Sequence, residues 1–200
     1  MTASTATASL PLLDRLWPAD GRAATVLRAV GMACLGTALL TASARVQIPF
    51  WPVPMTMQTF VVLLLGLTCG ARLGAGTVAF YLGLGAVGLP VFAGTPAKGI
   101  GLAYMTGPTG GYLVGFMAAV CVVGWLAARG WDRRVLTTLA AGVVGMVVIY
   151  ALGAGYLASL YGAEKALATG VLPFLLGDAL KIALLAATLQ LVWRGIVRAP

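Results

Sequence analysis

Asp178 and Lys181 stand three residues apart in a stretch, Leu172 to Arg194, that is otherwise almost wholly apolar. Three-residue spacing on a helix puts an acid and a base on one face. A carboxylate at mid-membrane costs roughly 2.5 to 3.5 kcal/mol on insertion scales, and an ammonium about as much, so neither is expected to face lipid. Ala179, Ala183 and Ala187 follow a different face, where small side chains let another helix approach. Two readings of the charged face are open. The pair ties the helix to its neighbours, or it lines a cavity and grips a polar ligand, the usual meaning of ionisable residues inside a membrane. Pairing of the two groups in the empty site fits both.

Other chemistry is thin. The chain has no histidine, which removes Ser-His-Asp and Cys-His arrangements and the usual zinc ligand sets. The remaining acids, Asp14, Asp20, Asp132 and Glu164, fall in gaps between apolar runs. Cys34, Cys69 and Cys121 lie inside such runs without CxxC spacing and read as small core residues. Gly83 to Gly88 matches GxGxxG formally, but within an apolar span ending at Pro90 it lacks the strand-to-helix setting of a dinucleotide site. The run from Gly107 to Tyr112 lacks the Lys-Ser/Thr of a phosphate-binding loop. Neither an enzymatic centre nor a cofactor or metal is expected.

The elements that must position the pair follow from composition. At 60% hydrophobic and 9% charged, the chain is far from the roughly 25% charged residues of soluble domains. Strand-type alternation is absent. The expected fold is an all-α integral membrane bundle of six helices. Residues 1–22 form a tail, with Met1 to Ser9 lacking signal-peptide features and Leu12, Leu13, Leu16 and Trp17 suited to a short interfacial helix. Residues 23–200 form a single membrane domain with spans near 23–44, 57–71, 75–92, 108–128, 135–157 and 172–194. Ala29 and Ala33, one turn apart, leave a flat patch for internal packing or for docking a partner subunit. Pro49, Pro52 and Pro54 exclude a helix between the first two spans and hold the chain extended, as a lid over a cavity or as an anchor for Trp51 at the interface.

Charge placement orients the bundle. The net charge of +8 is spread over gaps rather than gathered for nucleic acid. Alternating gaps hold Arg15, Arg22, Arg28, Arg72, Arg129, Arg133, Arg134, Arg194 and Arg198 on one side, against Arg45, Lys98 and Lys165 on the other. The positive-inside rule then places both termini in the cytoplasm. The proline-rich loop, the glycine-rich 93–106 stretch and the mouth of the sixth span converge outside, where they describe a cavity for a small ligand. That ligand offers hydrogen-bond donors to Asp178, a carbonyl or anion to Lys181, and apolar surface to aromatics. Uptake against a gradient requires an ion gradient or a separate ATPase, since no nucleotide motif is present.

Four blocks carry a specific likeness: Val53-Pro54-Met55-Thr56-Met57-Gln58-Thr59, Gly88-Leu89-Pro90-Val91-Phe92, Gly107 to Phe116, and Leu172 to Lys181. Over about Ala23 to Arg194 the chain resembles the BioY family, the biotin-binding S components of energy-coupling-factor transporters. The resemblance implies a six-helix S component in the bacterial cytoplasmic membrane that captures biotin from outside and works with a transmembrane coupling protein and paired ABC-type ATPases. It assigns Asp178 and Lys181 to biotin and likens Ala29 and Ala33 to the alanine motif that contacts the coupling protein. Tyr112, Gln58, Thr56 and Trp51 are pocket candidates from their positions. Two rivals remain: an S component for another vitamin, and an intramembrane enzyme with Asp178 as acid or base.

Overall fold

The structure is a computed structural model; it describes residues 11–198, with side chains through 195, so the Met1 to Ser9 tail lies outside the described residues. A short helix, α1 (Leu12–Leu16), lies against the bundle with Leu12 fully buried, and Asp14 pairs with Arg28 of the next helix at 2.5 Å. The bundle follows as α2 (Gly21–Arg45), α3 (Gln58–Ala86), α5 (Gly110–Ala127), α6 (Val135–Tyr161) and α8 (Leu175–Arg198). Between them stand α4 (Gly101–Met105), α7 (Ala163–Gly170) and a 3-10 turn at Leu172–Phe174. Among the described residues, five helical stretches are long and apolar enough to cross a membrane.

One of these stretches is two helices. At Gly70 the backbone takes φ 75° and ψ 174°, a region essentially reserved for glycine, and the chain doubles back. A Cβ placed on Gly74 would lie 3.3 Å from the carbonyl oxygen of Leu65, and Gln58 hydrogen-bonds Tyr81, 23 positions later. A continuous helix would hold that pair about 34 Å apart at 1.5 Å per residue. With the arms α3a (58–69) and α3b (71–86) counted separately, the described residues hold six apolar helices. At about 18 and 24 Å long, each falls short of a hydrocarbon core of about 30 Å. The reversal packs near Pro11 and Gly124, so the shortfall lies at the opposite end of the bundle.

Loops fill that recess. Non-helical backbone at membrane depth is tolerated where protein covers it or where it borders a cavity. Residues 46–57 form a two-stranded ribbon, β1 (Gln47–Ile48) against β2 (Met55–Thr56), antiparallel with Gln47 opposite Thr56. Its tip carries the three prolines. Residues 87–109 form the second loop, tied to the end of α2 by Arg45, which donates to the carbonyls of Pro90 at 2.6 Å and Thr95 at 2.8 Å. The apolar run 75–92 thus stops being helical at Ala86, as Gly88 (φ 98°) and Pro90 turn the chain into this loop.

Helix α5 occupies the centre. Gly115 meets the backbone of Ile149 on α6, with a Cβ position 3.0 Å from its carbonyl oxygen, while Gly124 packs directly on Ala71. Such approaches need residues without side chains, which is why glycine punctuates these runs.

Candidate functional site

The first turn of α8 holds Asp178, where the partial positive charge of a helix N-terminus favours an anion. Pro173 ends the preceding chain in a 3-10 turn and brings Phe174 inward, so the helix starts at Leu175 with its first acid facing the bundle. Lys181 Nζ lies 2.8 Å from Asp178 Oδ1, and both residues are buried, 8% and 5% exposed. Two neighbours complete the pair. Tyr150 of α6 donates its hydroxyl proton to Asp178 Oδ2, and Lys181 donates to Thr59 Oγ1 of α3a at 3.3 Å. Buried charges are tolerated only when paired and hydrogen-bonded, and these two partners come from two other helices.

The pair borders a cavity of about 50 Å³, walled at the loop end of the bundle by Val53, Pro54, Met55 and Thr56 of the ribbon. Thr56, Gln58, Thr59 and Tyr150 join Asp178 and Lys181 at its polar part, while Phe116, Met146, Ile149 and Phe174 supply apolar wall. One side is thus built to exchange hydrogen bonds and the other to accept hydrocarbon, the usual make-up of a small-molecule site. The volume suits a few waters.

Gln58 is buried; its Nε2 donates to Tyr81 at 2.6 Å and its Oε1 accepts from Thr56 at 3.2 Å. Tyr112 lines the cavity with its ring and donates its hydroxyl to the carbonyl of Gly170 at 2.7 Å, packing over Gly153, where a side chain would collide with the ring. Tyr104 lines it as well and donates to Ala93 at 2.9 Å; burial pushes this phenol above its ordinary range, so it stays a donor.

Trp51 lies apart from these residues. It is 66% exposed at the tip of the ribbon, edge-on to Tyr161 at 6.2 Å and with Lys165 Nζ 5.1 Å from its ring. Phe50, its neighbour, packs on Phe174 at 5.9 Å. The ribbon tip is therefore fastened to the α6–α7 corner and to the start of α8, with Trp51 on its outer surface. Ala29 and Ala33 are half-buried on α2 and do not line the cavity; Ala29 stands beside a second hollow bordered by Arg28, Arg72 and Trp125.

Tyr150, Thr59 and Tyr104 were not singled out by the sequence. A phenol inside the apolar span 135–157 was the one available signal for Tyr150, and nothing local reveals that it faces Asp178.

Comparison with known proteins places the chain. Residues 15–198 match the family model described as BioY family. A probable biotin transporter BioY of Pyrococcus horikoshii is 41% identical over 154 residues, covering 77% of this chain and 89% of that protein. A biotin transporter BioY of Thermotoga maritima is 42% identical over 147 residues, covering 73% and 84%. Among solved structures, the S-component for biotin from an ECF-type ABC transporter superposes with a TM-score of 0.74 at 21% identity, over 87% of this chain and 95% of that one, which establishes a shared fold.

Proposed function

Since the chain belongs to the BioY family, we propose that it is a multi-pass membrane protein that takes up biotin as the substrate-binding subunit of an energy-coupling-factor transporter. The observation that carries this reading is the buried Asp178–Lys181 pair, held by Tyr150 and Thr59 at the polar part of a cavity whose remaining wall is apolar. Biotin matches that division. Its ureido nitrogens donate to a carboxylate, its ureido oxygen and its valerate accept from an ammonium, and its sulfur-containing ring and chain are apolar.

Asp178 and Lys181 bind biotin directly. Thr56, Gln58 and Tyr112 share the cavity with them and act as further contacts. Tyr150 holds the carboxylate in place. Trp51, outside the cavity, steadies the ribbon through Tyr161 and Lys165. A space of about 50 Å³ holds water rather than a bicyclic vitamin, so biotin enters with a displacement of the 46–57 segment that forms one wall.

The subunit is not an enzyme: one acid paired with one base serves binding. ATP is hydrolysed by separate ABC-type subunits joined through a transmembrane coupling protein, which docks on α2 at Ala29 and Ala33. The protein resides in the bacterial cytoplasmic membrane with both termini inside. Support for that orientation comes from the nine basic residues on the α1 side of the bundle against three on the cavity side.

Retention of radiolabelled biotin by the purified protein is the test. The native protein retains it, while Asp178→Asn and Lys181→Ala do not. Retention of a different vitamin but not biotin, or chemical conversion of biotin, overturns the assignment.

A further inference from the structure

Behind Gln58, away from the cavity, stands Tyr81 of α3b. It is fully buried, set edge-on to Phe92 at 5.4 Å, and does not line the cavity. Its hydroxyl lies 3.1 Å from the carbonyl oxygen of Val91 and 2.6 Å from Gln58 Nε2. A carbonyl oxygen can only accept, and a phenol has one proton to give. With that proton directed to Val91, the phenol oxygen can only accept from Gln58. The amide is thereby fixed with its NH2 turned to Tyr81 and its Oε1 turned to Thr56, which uses one of two lone pairs at 3.2 Å. The anchor is itself held, because Arg45 grips the same loop at Pro90 and Thr95 and so fixes where the Val91 carbonyl stands.

We propose that Tyr81 is a positioning residue that sets the polarity of Gln58, turning an amide that could offer either end into a hydrogen-bond acceptor aimed at the ligand. The ligand group met there is consequently an N–H or O–H donor; on the biotin reading, from which this inference starts, it is a ureido N–H. Gln58 and Asp178 then present acceptors while Lys181 supplies the donor, a pattern that admits a urea and rejects a ring whose nitrogens carry no hydrogen.

A double-mutant cycle on biotin affinity tests this. Tyr81→Phe weakens binding about tenfold, the effect of one lost hydrogen bond, and Gln58→Met weakens it at least as much. In the Gln58→Met background Tyr81→Phe has no further effect, since there is no amide left to orient. Equal losses from Tyr81→Phe in both backgrounds would show a general packing role and overturn the proposal. Should Tyr81→Phe fail to accumulate in membranes, Gln58→Glu replaces it. The carboxylic acid of that variant, in its protonated form, donates to Tyr81 and keeps an acceptor oxygen towards the cavity. Gln58→Glu therefore binds biotin more tightly than Gln58→Met, and equal affinity of the two variants overturns the proposal. A native protein that retains no biotin refutes the function itself, an outcome separate from additivity among variants that do bind.

Discussion

At the scale of single residues, the two readings of the charged face turn out to be compatible: Asp178 and Lys181 pair with each other and also border the cavity. Their roles in stability and binding separate experimentally. Removing one partner of a buried pair costs about 3 to 5 kcal/mol, because the other charge is left uncompensated. Lys181→Met therefore lowers the melting temperature of the purified protein, and the double variant Asp178→Asn with Lys181→Met recovers most of the loss, yet neither retains biotin. A double variant that is stable and still binds would reduce the pair to a structural tie. Tyr150 gives a second measurement. Its hydroxyl is the hydrogen-bond partner of Asp178 Oδ2, and bonds to charged groups are worth about 1.5 to 3 kcal/mol. Tyr150→Phe is expected to weaken biotin binding by roughly ten- to a hundredfold, read by equilibrium titration, while the ion pair keeps the helix in place.

At the scale of elements, the hairpin within α3 sets how far its two arms reach, and the first residues of one arm, Gln58 and Thr59, line the cavity. Its turn depends on Gly70 in a glycine-only conformation and on Gly124 of α5, where a side chain would run into the backbone of Ala71 and Gly70. Gly124→Ala is expected to separate α5 from α3 and to lower thermal stability by about 1 to 3 kcal/mol, the usual cost of overpacking, with biotin affinity falling as the cavity-lining Leu113 and Phe116 of α5 shift. The expected spans 57–71 and 75–92 put the break at 72–74, two residues or more past the turn at Gly70. Gly70 sits in an apolar run where glycine recurs for close packing, so no local feature distinguishes it. The ion pair was plain because two charges in a membrane helix admit few explanations, and the ribbon was plain because three prolines forbid a helix. Partners across the bundle were not: whether Tyr150 meets Asp178, or Trp51 turns outward to Lys165, depends on how distant helices rotate about their axes. Likewise the gap between the expected spans 135–157 and 172–194, which holds Glu164 and Lys165, contains α7, since Gly162 (φ 88°) starts a new helix rather than a loop.

At the scale of the whole molecule, the far end of the bundle has its own buried acid. Asp132, in the turn between α5 and α6, is 2% exposed and accepts from Trp193 Nε1 of α8 at 3.1 Å, while Arg15 and Arg133 each lie 5.4 Å from the Trp193 ring. Burial raises its pKa above the ordinary carboxylate value, an effect that the nearby arginines only partly oppose. The folded protein thus binds this proton more tightly than the unfolded chain does. Stability from this group is complete below the ordinary value and is lost as pH rises through the raised one. Thermal unfolding followed upward from about pH 4, near the ordinary carboxylate value, should show that decline, and Asp132→Asn, which cannot ionise, should flatten it.

The placement of both site charges on one helix has an electrical consequence. Moving an elementary charge through a membrane potential involves about 2.3 kcal/mol per 100 mV, so a binding centre with a lone ion would be driven or hindered by voltage whenever it changed sides. Asp178 and Lys181, paired on one helix, sum to zero. An unloaded centre of this kind is indifferent to the potential, and on the biotin reading the cargo's own carboxylate is the charge through which a loaded one responds.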